Sequence, residues 1–229
     1  MDQWGNNDWH FIKTNHRPPG PRTTRLTEIR GPYYTAMGKR YTQDVLETQG
    51  NWIDGIKSTG GAFTLFPFPV LKEFIDTAHQ YNILVATGDF MEYVPTQGKD
   101  AVHRYIQTCK EAGFDIIENS SGFITLPTDD WLRLMEWVMQ AGMKAKPEVC
   151  VQFGAGGATA TGDLKKASLR NAGYAIKQAQ HFLEAGVDII MFESEGITEN
   201  TEPWRTDVVT QFIDGIGLEH LMFEAAEPS

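Results

Sequence analysis

The stretch VHRYIQTCKEAGFDIIE, residues 102–118, decides the fold class. Its first part carries apolar side chains at positions 102, 105, 106 and 109, which is the spacing of one face of an α-helix. Gly113 follows at the point where a left-handed residue would end that helix. Asp115–Glu118 then has the composition of a short buried strand. A helix followed at once by such a strand is the repeating unit of a parallel α/β fold.

The same unit recurs along the chain at intervals of roughly thirty residues. Short, nearly continuous apolar runs predict seven strands, the first of them weak, and such runs are typical of parallel sheets covered on both faces. The predicted strands are Leu26–Arg30, Trp52–Lys57, Ile83–Thr87, Asp115–Glu118, Ala145–Val151, Asp188–Glu193 and Leu221–Ala225. Five helical stripes begin at Val70, Val102, Leu134, Ala175 and Val208. We therefore predict an α/β fold of the TIM-type (βα)8 barrel class, with its chemistry at the C-terminal ends of the strands.

Length and charge narrow the possible functions. The 229 residues suit one barrel domain, which we assign to residues 24–229 after an irregular lead-in at residues 1–23 that is rich in proline and glycine. A formal net charge of -10 disfavours nucleic acid and membrane surfaces as partners. The sequence shows neither a transmembrane run nor a signal peptide, and Cys109 and Cys150 lack metal-site spacing. We expect a cytoplasmic protein that acts on a small molecule.

Charged residues stand at the predicted C-terminal end of almost every strand. Lys57 ends the second strand, and a buried lysine at that position predicts a catalytic or anion-binding role. Carboxylates end the other strands, and if they crowd together they need either a hard cation such as Mg²⁺ or retained protons. These are Asp89, Glu92, Glu118, Glu148, Glu193, Glu195 and Glu224. The alternative is that each one merely favours the N-terminus of the following helix.

Glycine-rich motifs give little support for a nucleotide or another organic cofactor. Neither a GxGxxG nor a GxxxxGK[ST] motif follows the first strands. The segment Gly154–Gly157 follows the fifth strand and could bind an anion through its backbone amides, or it could be a plain flexible loop. We expect no organic cofactor.

Taken together, the strings at the strand ends resemble the phosphosulfolactate synthase family. They occur in the family's order and spacing over roughly residues 20 to 227, and they are Asp54–Lys57, Thr87–Glu92, Gly113–Gly122, Pro147–Val149, Phe192–Glu193 and Met222–Ala225. The resemblance implies a (βα)8 barrel and a homo-oligomeric assembly. It also implies a Mg²⁺-dependent addition of sulfite to phosphoenolpyruvate, which forms a C–S bond through an enolate.

The family's site residues can be carried over one position at a time. Together with the strand-end pattern, they give three sets of expected site residues. The expected catalytic positions are Lys57, Glu118, Glu148 and Gln152. The expected Mg²⁺ ligands are Glu148, Glu193, Glu195 and Glu224. The expected substrate contacts are Asp89, Glu92, Ser121 and Gly156.

Several of the family's residues are replaced in this chain. Gln152 stands where the resemblance places a proton-donating lysine, Ser121 replaces an aspartate, and Glu193–Gly196 lacks the family's arginine. The sequence also stops at Ser229, so we expect the eighth βα unit and half of the usual phosphate site to be missing from this chain. The two strand edges left open would favour oligomerisation.

These observations favour a divergent lyase that performs a Michael-type addition or elimination, through an enolate, on a small carbonyl-conjugated substrate. A second hypothesis is a non-catalytic scaffold, because the family's heat-stress-associated eukaryotic relatives also resemble the stretch from Trp204–Asp207 to Phe223–Ala225. A third is a cyclase or isomerase of specialised metabolism, which the apolar segment Phe63–Phe68 would suit. An enzyme needs Lys57 and its carboxylates held in place, whereas a scaffold tolerates their loss.

Overall fold

A computed structural model describes residues 11–13, 17–31, 37–120, 122, 124–152, 172–199, 201 and 203–225. Seven strands form one sheet whose spatial order follows the chain, and every neighbouring pair is parallel. They are β1 (Glu28–Arg30), β2 (Gly55–Lys57), β3 (Leu84–Ala86), β4 (Ile116–Asn119), β5 (Lys144–Val149), β6 (Ile190–Phe192) and β7 (Leu221–Phe223). The predicted parallel α/β class and all seven predicted strand positions are confirmed.

Six of the seven strands are shorter than predicted, and β4 is shifted by one residue. Trp52 lies in a 3₁₀ turn, Gly50–Trp52, and not in the second strand. At the other end of the fifth and sixth strands, Val151 and Glu193 lie beyond the last paired residue. An apolar run can continue after backbone pairing with the neighbouring strand has stopped. The run therefore overestimates the length of the strand.

Six helices lie between the strands in the described part of the chain. They are α1 (Lys39–Gln49), α2 (Phe68–His79), α3 (Lys99–Ala112), α4 (Thr128–Gln140), α5 (Ala172–Glu184) and α6 (Thr206–Ile216). The five helices that show an apolar stripe were predicted. Helix α1 was not, because only Thr42 and Leu46 of its eleven residues are buried. No helix in the described ranges combines the length and apolar character needed to cross a bilayer.

The helices cover the outer face of the sheet. Ile56, Val85 and Ile117 are fully buried there and belong to the hydrophobic core that the helices complete. Successive side chains in a strand point to opposite faces, so the neighbouring residues Lys57 and Glu118 point to the inner face. The fold therefore has an apolar outer layer and an ionic interior.

The sheet is curled around that interior. In a flat sheet, β1 and β5 would lie roughly 19 Å apart, at about 4.8 Å per strand. Instead, the ammonium group of Lys146 on β5 forms an ion pair with Glu28 on β1. Arg30 at the end of β1 contacts Glu224 directly after β7, with 2.6 Å between Nη2 and Oε1. The strand ends therefore surround one shared space.

Candidate active site

Lys57 lies at the centre of the strand ends. Its side chain is 7% exposed, and Nζ lies 2.9 Å from Oε1 of Glu118 on β4. Nζ also lies 3.8 Å from a carboxylate oxygen of Glu148 on β5 and 3.8 Å from one of Glu224 after β7. Four separate segments of the chain thus place one cation and three carboxylates together. Lys57 is buried at the end of the second strand, where the sequence predicts it.

A second buried lysine, Lys146, contacts Glu118 on the side away from Lys57. Glu118 is completely buried, and its Oε2 lies 3.0 Å from Nζ of Lys146. Lys146 is 3% exposed and also forms the ion pair with Glu28 across the interior. The ionic groups therefore form a continuous chain in the order Glu28, Lys146, Glu118 and Lys57. Sequence reasoning missed Lys146 and Glu28, although Lys146 stands two residues before Glu148 and therefore shares its face of β5.

Three carboxylates converge at the mouth of the interior. Within the described residues, Glu148, Glu193 and Glu224 each offer an oxygen, and these oxygens lie within 4.8 Å of one another. We call these three residues the acidic triad. All of the donors are hard oxygen ligands, which suits Mg²⁺ and similar cations and does not suit soft metals. The residues present therefore fit the cation that the family resemblance implies.

The electrostatics of the site divide its groups into two kinds. Burial alone lowers the pKa of Lys57, but Glu118, Glu148 and Glu224 outweigh burial and raise it well above the usual value. Burial raises the pKa of Glu118, but Lys57 and Lys146 outweigh that effect and lower it below the usual value. Lys57 and Glu118 are consequently both charged at neutral pH.

The acidic triad behaves differently. Burial, together with the neighbouring carboxylates Glu118, Glu193 and Glu224, raises the pKa of Glu148 well above its usual value, although Lys57 acts in the opposite direction. Burial and the charge of Glu224 raise the pKa of Glu193 to about 8. Without a cation, these two carboxyl groups therefore hold protons near neutral pH. A bound cation would replace those protons.

The raised pKa of Glu193 predicts that metal-free protein loses stability as the pH rises. An unfolded glutamate releases its proton near pH 4.3, whereas folded Glu193 keeps its proton up to about pH 8. The folded state therefore binds more protons between these values, so the free energy of unfolding must fall across that window. We expect a loss of a few kcal/mol between pH 5 and pH 8.5, measured by urea unfolding in the presence of EDTA.

Glu193→Gln should flatten part of this dependence, whereas Glu136→Gln, at an exposed position on α4, should leave it unchanged. Equal slopes for all three proteins would contradict the assignment of a buried, protonated Glu193.

Two of the expected substrate contacts hold loops together. Oε1 of Glu92, which is buried, accepts hydrogen bonds from the Ser120 hydroxyl and from the backbone N–H of Gly122 at 3.0 Å. Oδ1 of Asp89 accepts a hydrogen bond from the backbone N–H of Gly60 at 2.8 Å. Both carboxylates thus join the loop after β3 to neighbouring loops at the strand ends. They shape the rim of the site.

The other expected site residues are distributed as follows. Gln152 is buried beyond β5, and its side chain packs against Gly196 after β6. Glu195 is also buried, but it is not a member of the acidic triad, and its backbone N–H donates to Glu193 Oε1 at 3.1 Å. Ser121 and Gly156 lie outside the described residues. The roles predicted for these four residues stay predictions.

Gly61 in the loop after β2 has no room for a side chain. Its φ is +72°, and an added Cβ would overlap the ring of Phe90. Gly186, which ends α5, has a similarly positive φ of +95°, but nothing lies within 4 Å of the position of its Cβ. We expect Gly186→Ala to lose about 1 kcal/mol of unfolding free energy, and Gly61→Ala to lose about 2–4 kcal/mol because overlap adds to backbone strain. Urea unfolding of both variants tests this, and equal losses would contradict the predicted overlap.

Known proteins resemble this chain over most of its length. The family model described as (2R)-phospho-3-sulfolactate synthase (ComA) matches residues 15–229. The chain belongs to this family. It is 31% identical over 227 residues to the Arabidopsis thaliana protein HEAT-STRESS-ASSOCIATED 32, covering 95% of this chain and 79% of that protein. It is 22% identical over 229 residues to a phosphosulfolactate synthase of Methanothermobacter thermautotrophicus, covering 97% and 83% of the two chains.

Solved structures also resemble this member of the phosphosulfolactate synthase family. A phosphoenolpyruvate phosphomutase from Streptomyces platensis subsp. rosaceus superposes with a TM-score of 0.55, covering 86% of this chain and 68% of that one. The sequence identity is 13%, so this likeness concerns the fold alone. It agrees with the curled parallel sheet described above.

Proposed function

We propose that this protein is a lyase-like enzyme that adds a nucleophile to, or eliminates one from, a small carbonyl-conjugated acid through an enolate. Its scaffold on this proposal is a TIM-type (βα)8 barrel. The observation that supports the activity most strongly is a charged Lys57, held by buried Glu118 and facing two members of the acidic triad. Burying a lysine with three carboxylates costs folding free energy, and such clusters are typical of functional sites.

The proposed reaction uses Lys57 as a hydrogen-bond donor. The nucleophile attacks the β-carbon of the conjugated double bond, and the electron pair moves to the carbonyl oxygen to give an enolate. The Lys57 ammonium group donates to that oxygen, where the negative charge develops. The α-carbon then takes a proton from the solvent, which replaces the proton that the nucleophile releases, and elimination follows the same steps in reverse.

Mg²⁺ fits the proposal as a resident cation. Glu148, Glu193 and Glu224 would hold it, and when bound it would supply positive charge beside the developing oxyanion. The residues of the chain would still bind and orient the acid, and Lys57 would still contact its carbonyl oxygen.

The described charges favour an acid without a phosphate group. Arg30 is already paired with Glu224, and Arg205 forms a two-point ion pair with Asp207, with both distances 2.9 Å. Gln152, where the family resemblance implies a lysine, is uncharged. We therefore propose that sulfite addition to phosphoenolpyruvate is not the main reaction.

A paired substrate test separates these possibilities. Purified protein with Mg²⁺ and a nucleophile, either sulfite or a thiol, is incubated with phosphoenolpyruvate in one set of samples and with unphosphorylated conjugated acids in another. Consumption of each acid is followed by NMR. We expect turnover of one or more unphosphorylated acids and little or none of phosphoenolpyruvate. Comparable or faster turnover of phosphoenolpyruvate with sulfite would overturn this substrate assignment.

A non-catalytic, stress-associated role is the second candidate, and the 31% identity to HEAT-STRESS-ASSOCIATED 32 favours it. A scaffold of this kind should suppress the aggregation of a heat-unfolded reporter enzyme, measured by light scattering. Lys57→Met should leave that protection intact if the barrel is a scaffold, because a partner would then not contact the buried charges. Absence of protection by the wild-type protein would remove this candidate.

We also propose a cytoplasmic location and a homo-oligomeric assembly. In the described residues, β1 and β7 each have one paired neighbour, and a cavity of about 530 Å³ lies between them, lined by both strands. Association of two or more copies would cover such edges. Light scattering coupled to size-exclusion chromatography tests the assembly, and a monomer at all concentrations would contradict it.

A further inference from the structure

The ion pair between Glu28 and Lys146 lies beneath the proposed active site. Both side chains are nearly inaccessible, at 6% and 3% exposure. Both line a small cavity of about 50 Å³ with Leu26, Lys144 and Asp188, which belong to the N-terminal half of the sheet. A substrate at the C-terminal strand ends would therefore contact neither group.

Glu118 connects this ion pair to Lys57. Each Glu118 oxygen faces a different lysine, with Oε1 2.9 Å from Lys57 Nζ and Oε2 3.0 Å from Lys146 Nζ. No other donor in the described part of the chain forms a hydrogen bond with either oxygen. Lys146 is therefore the one described group that can fix the second oxygen of this carboxylate.

The position of Lys57 depends on a balance between inner and outer carboxylates. Its ammonium group lies 2.9 Å from Glu118 on the inside, but 3.8 Å from Glu148 and 3.8 Å from Glu224 towards the mouth. If Lys146 were absent, the second oxygen of buried Glu118 would have no donor among the described residues. The carboxylate could then rotate, and the Lys57 ammonium group, which contacts its other oxygen at 2.9 Å, would move with it.

We infer that Lys146, anchored by Glu28, is a positioning residue that orients Glu118 and thereby holds Lys57 at the mouth of the interior. The inference rests on the proposed function only where it concerns turnover. The geometry of Lys57 is a separate consequence that can be measured without substrate.

The test uses the double variant Glu28→Gln/Lys146→Met, which removes one negative and one positive charge and so keeps the net charge unchanged. Lys146→Met alone would leave Glu28 buried without its cation and could prevent folding. Lys144→Gln is the matched control, because Lys144 precedes Lys146 by two residues on β5 but its side chain is 62% exposed. Lys146→Arg tests rescue by a different cation.

The first readout is the NMR signal of the Lys57 ammonium group in protein labelled with ¹⁵N-lysine, assigned through its loss in Lys57→Met. We expect the double variant to shift this signal and to speed its exchange with water, and Lys144→Gln to leave it unchanged. The second readout is turnover, for which we expect kcat to fall on the order of 10²-fold with little change in KM, because displacing a catalytic group by about 1 Å costs that much. Lys146→Arg should recover part of this loss.

A double variant that melts at a lower temperature but keeps the wild-type Lys57 signal and kcat would overturn the inference and leave Lys146 with a purely structural role. If the wild-type protein turns over none of the acids tested, the proposed function fails. The NMR comparison would then still decide whether Lys146 positions Lys57.

Discussion

Lys57→Met should lower turnover by on the order of 10³-fold or more, with substrate binding much less affected. Lys57 is the cation placed between Glu118 and the mouth of the interior, and its raised pKa keeps it charged throughout the neutral range. Its contribution should be largest when negative charge develops on the carbonyl oxygen, so the loss should appear in kcat. Steady-state kinetics on the acid identified in the substrate test would measure it.

The variant must also be shown to fold, because removing Lys57 leaves Glu118 with one cation fewer. Breaking a buried ion pair on one side costs about 3–5 kcal/mol. Lys57→Met/Glu118→Gln removes one charge of each sign and should recover much of this stability without recovering activity. Wild-type turnover in that double variant would show that Lys57 is not catalytic.

Glu148→Gln should weaken Mg²⁺ binding by on the order of 100-fold, because it removes one of three converging carboxylates. Glu136→Gln is the control, since Glu136 is exposed on α4 and lies outside the acidic triad. It should change the affinity by less than about threefold. Isothermal titration calorimetry on metal-free protein measures both.

Binding of Mg²⁺ should also release protons near pH 7, because Glu193 has a pKa of about 8 before the cation arrives. The heat of binding should therefore depend on the ionisation enthalpy of the buffer, and the affinity should rise between pH 6.5 and pH 8.5. Equal Mg²⁺ affinity of the wild-type protein and both variants would show that the acidic triad does not hold the cation.

Local sequence patterns predicted much of the fold because each signal acts over a short distance. The apolar runs located all seven strands, and Gly113 does have a positive φ after the helix it was predicted to end. Helix α1 was missed because it presents a narrow apolar face to the core. Strand ends were also misplaced, since composition does not reveal where backbone pairing stops.

The sequence predicted a site residue only where the position of that residue at the end of its own strand was enough to place it. Lys57, Glu118, Glu148 and Glu224 meet because parallel strands end at one edge. Glu28 and Lys146, 118 positions apart in sequence, meet because the sheet curls, which no local pattern reveals.

Glu92 illustrates the opposite difficulty. Its charge at a strand end predicts a substrate contact, which stays a prediction, and the structure shows its Oε1 accepting hydrogen bonds from Ser120 and Gly122. A carboxylate that binds a loop and one that binds a ligand look identical in the sequence, because the difference depends on which N–H groups the fold brings nearby.

The central claim is that the interior stabilises an enolate at Lys57. The most direct test is the rate at which deuterium from D₂O enters the position next to the carbonyl of small keto acids, followed by ¹H NMR with Mg²⁺ present. We expect exchange by the wild-type protein that Lys57→Met reduces on the order of 10³-fold, to near the uncatalysed rate. Exchange that is equally fast in both proteins, or absent from the wild-type protein with every acid tested, would contradict it.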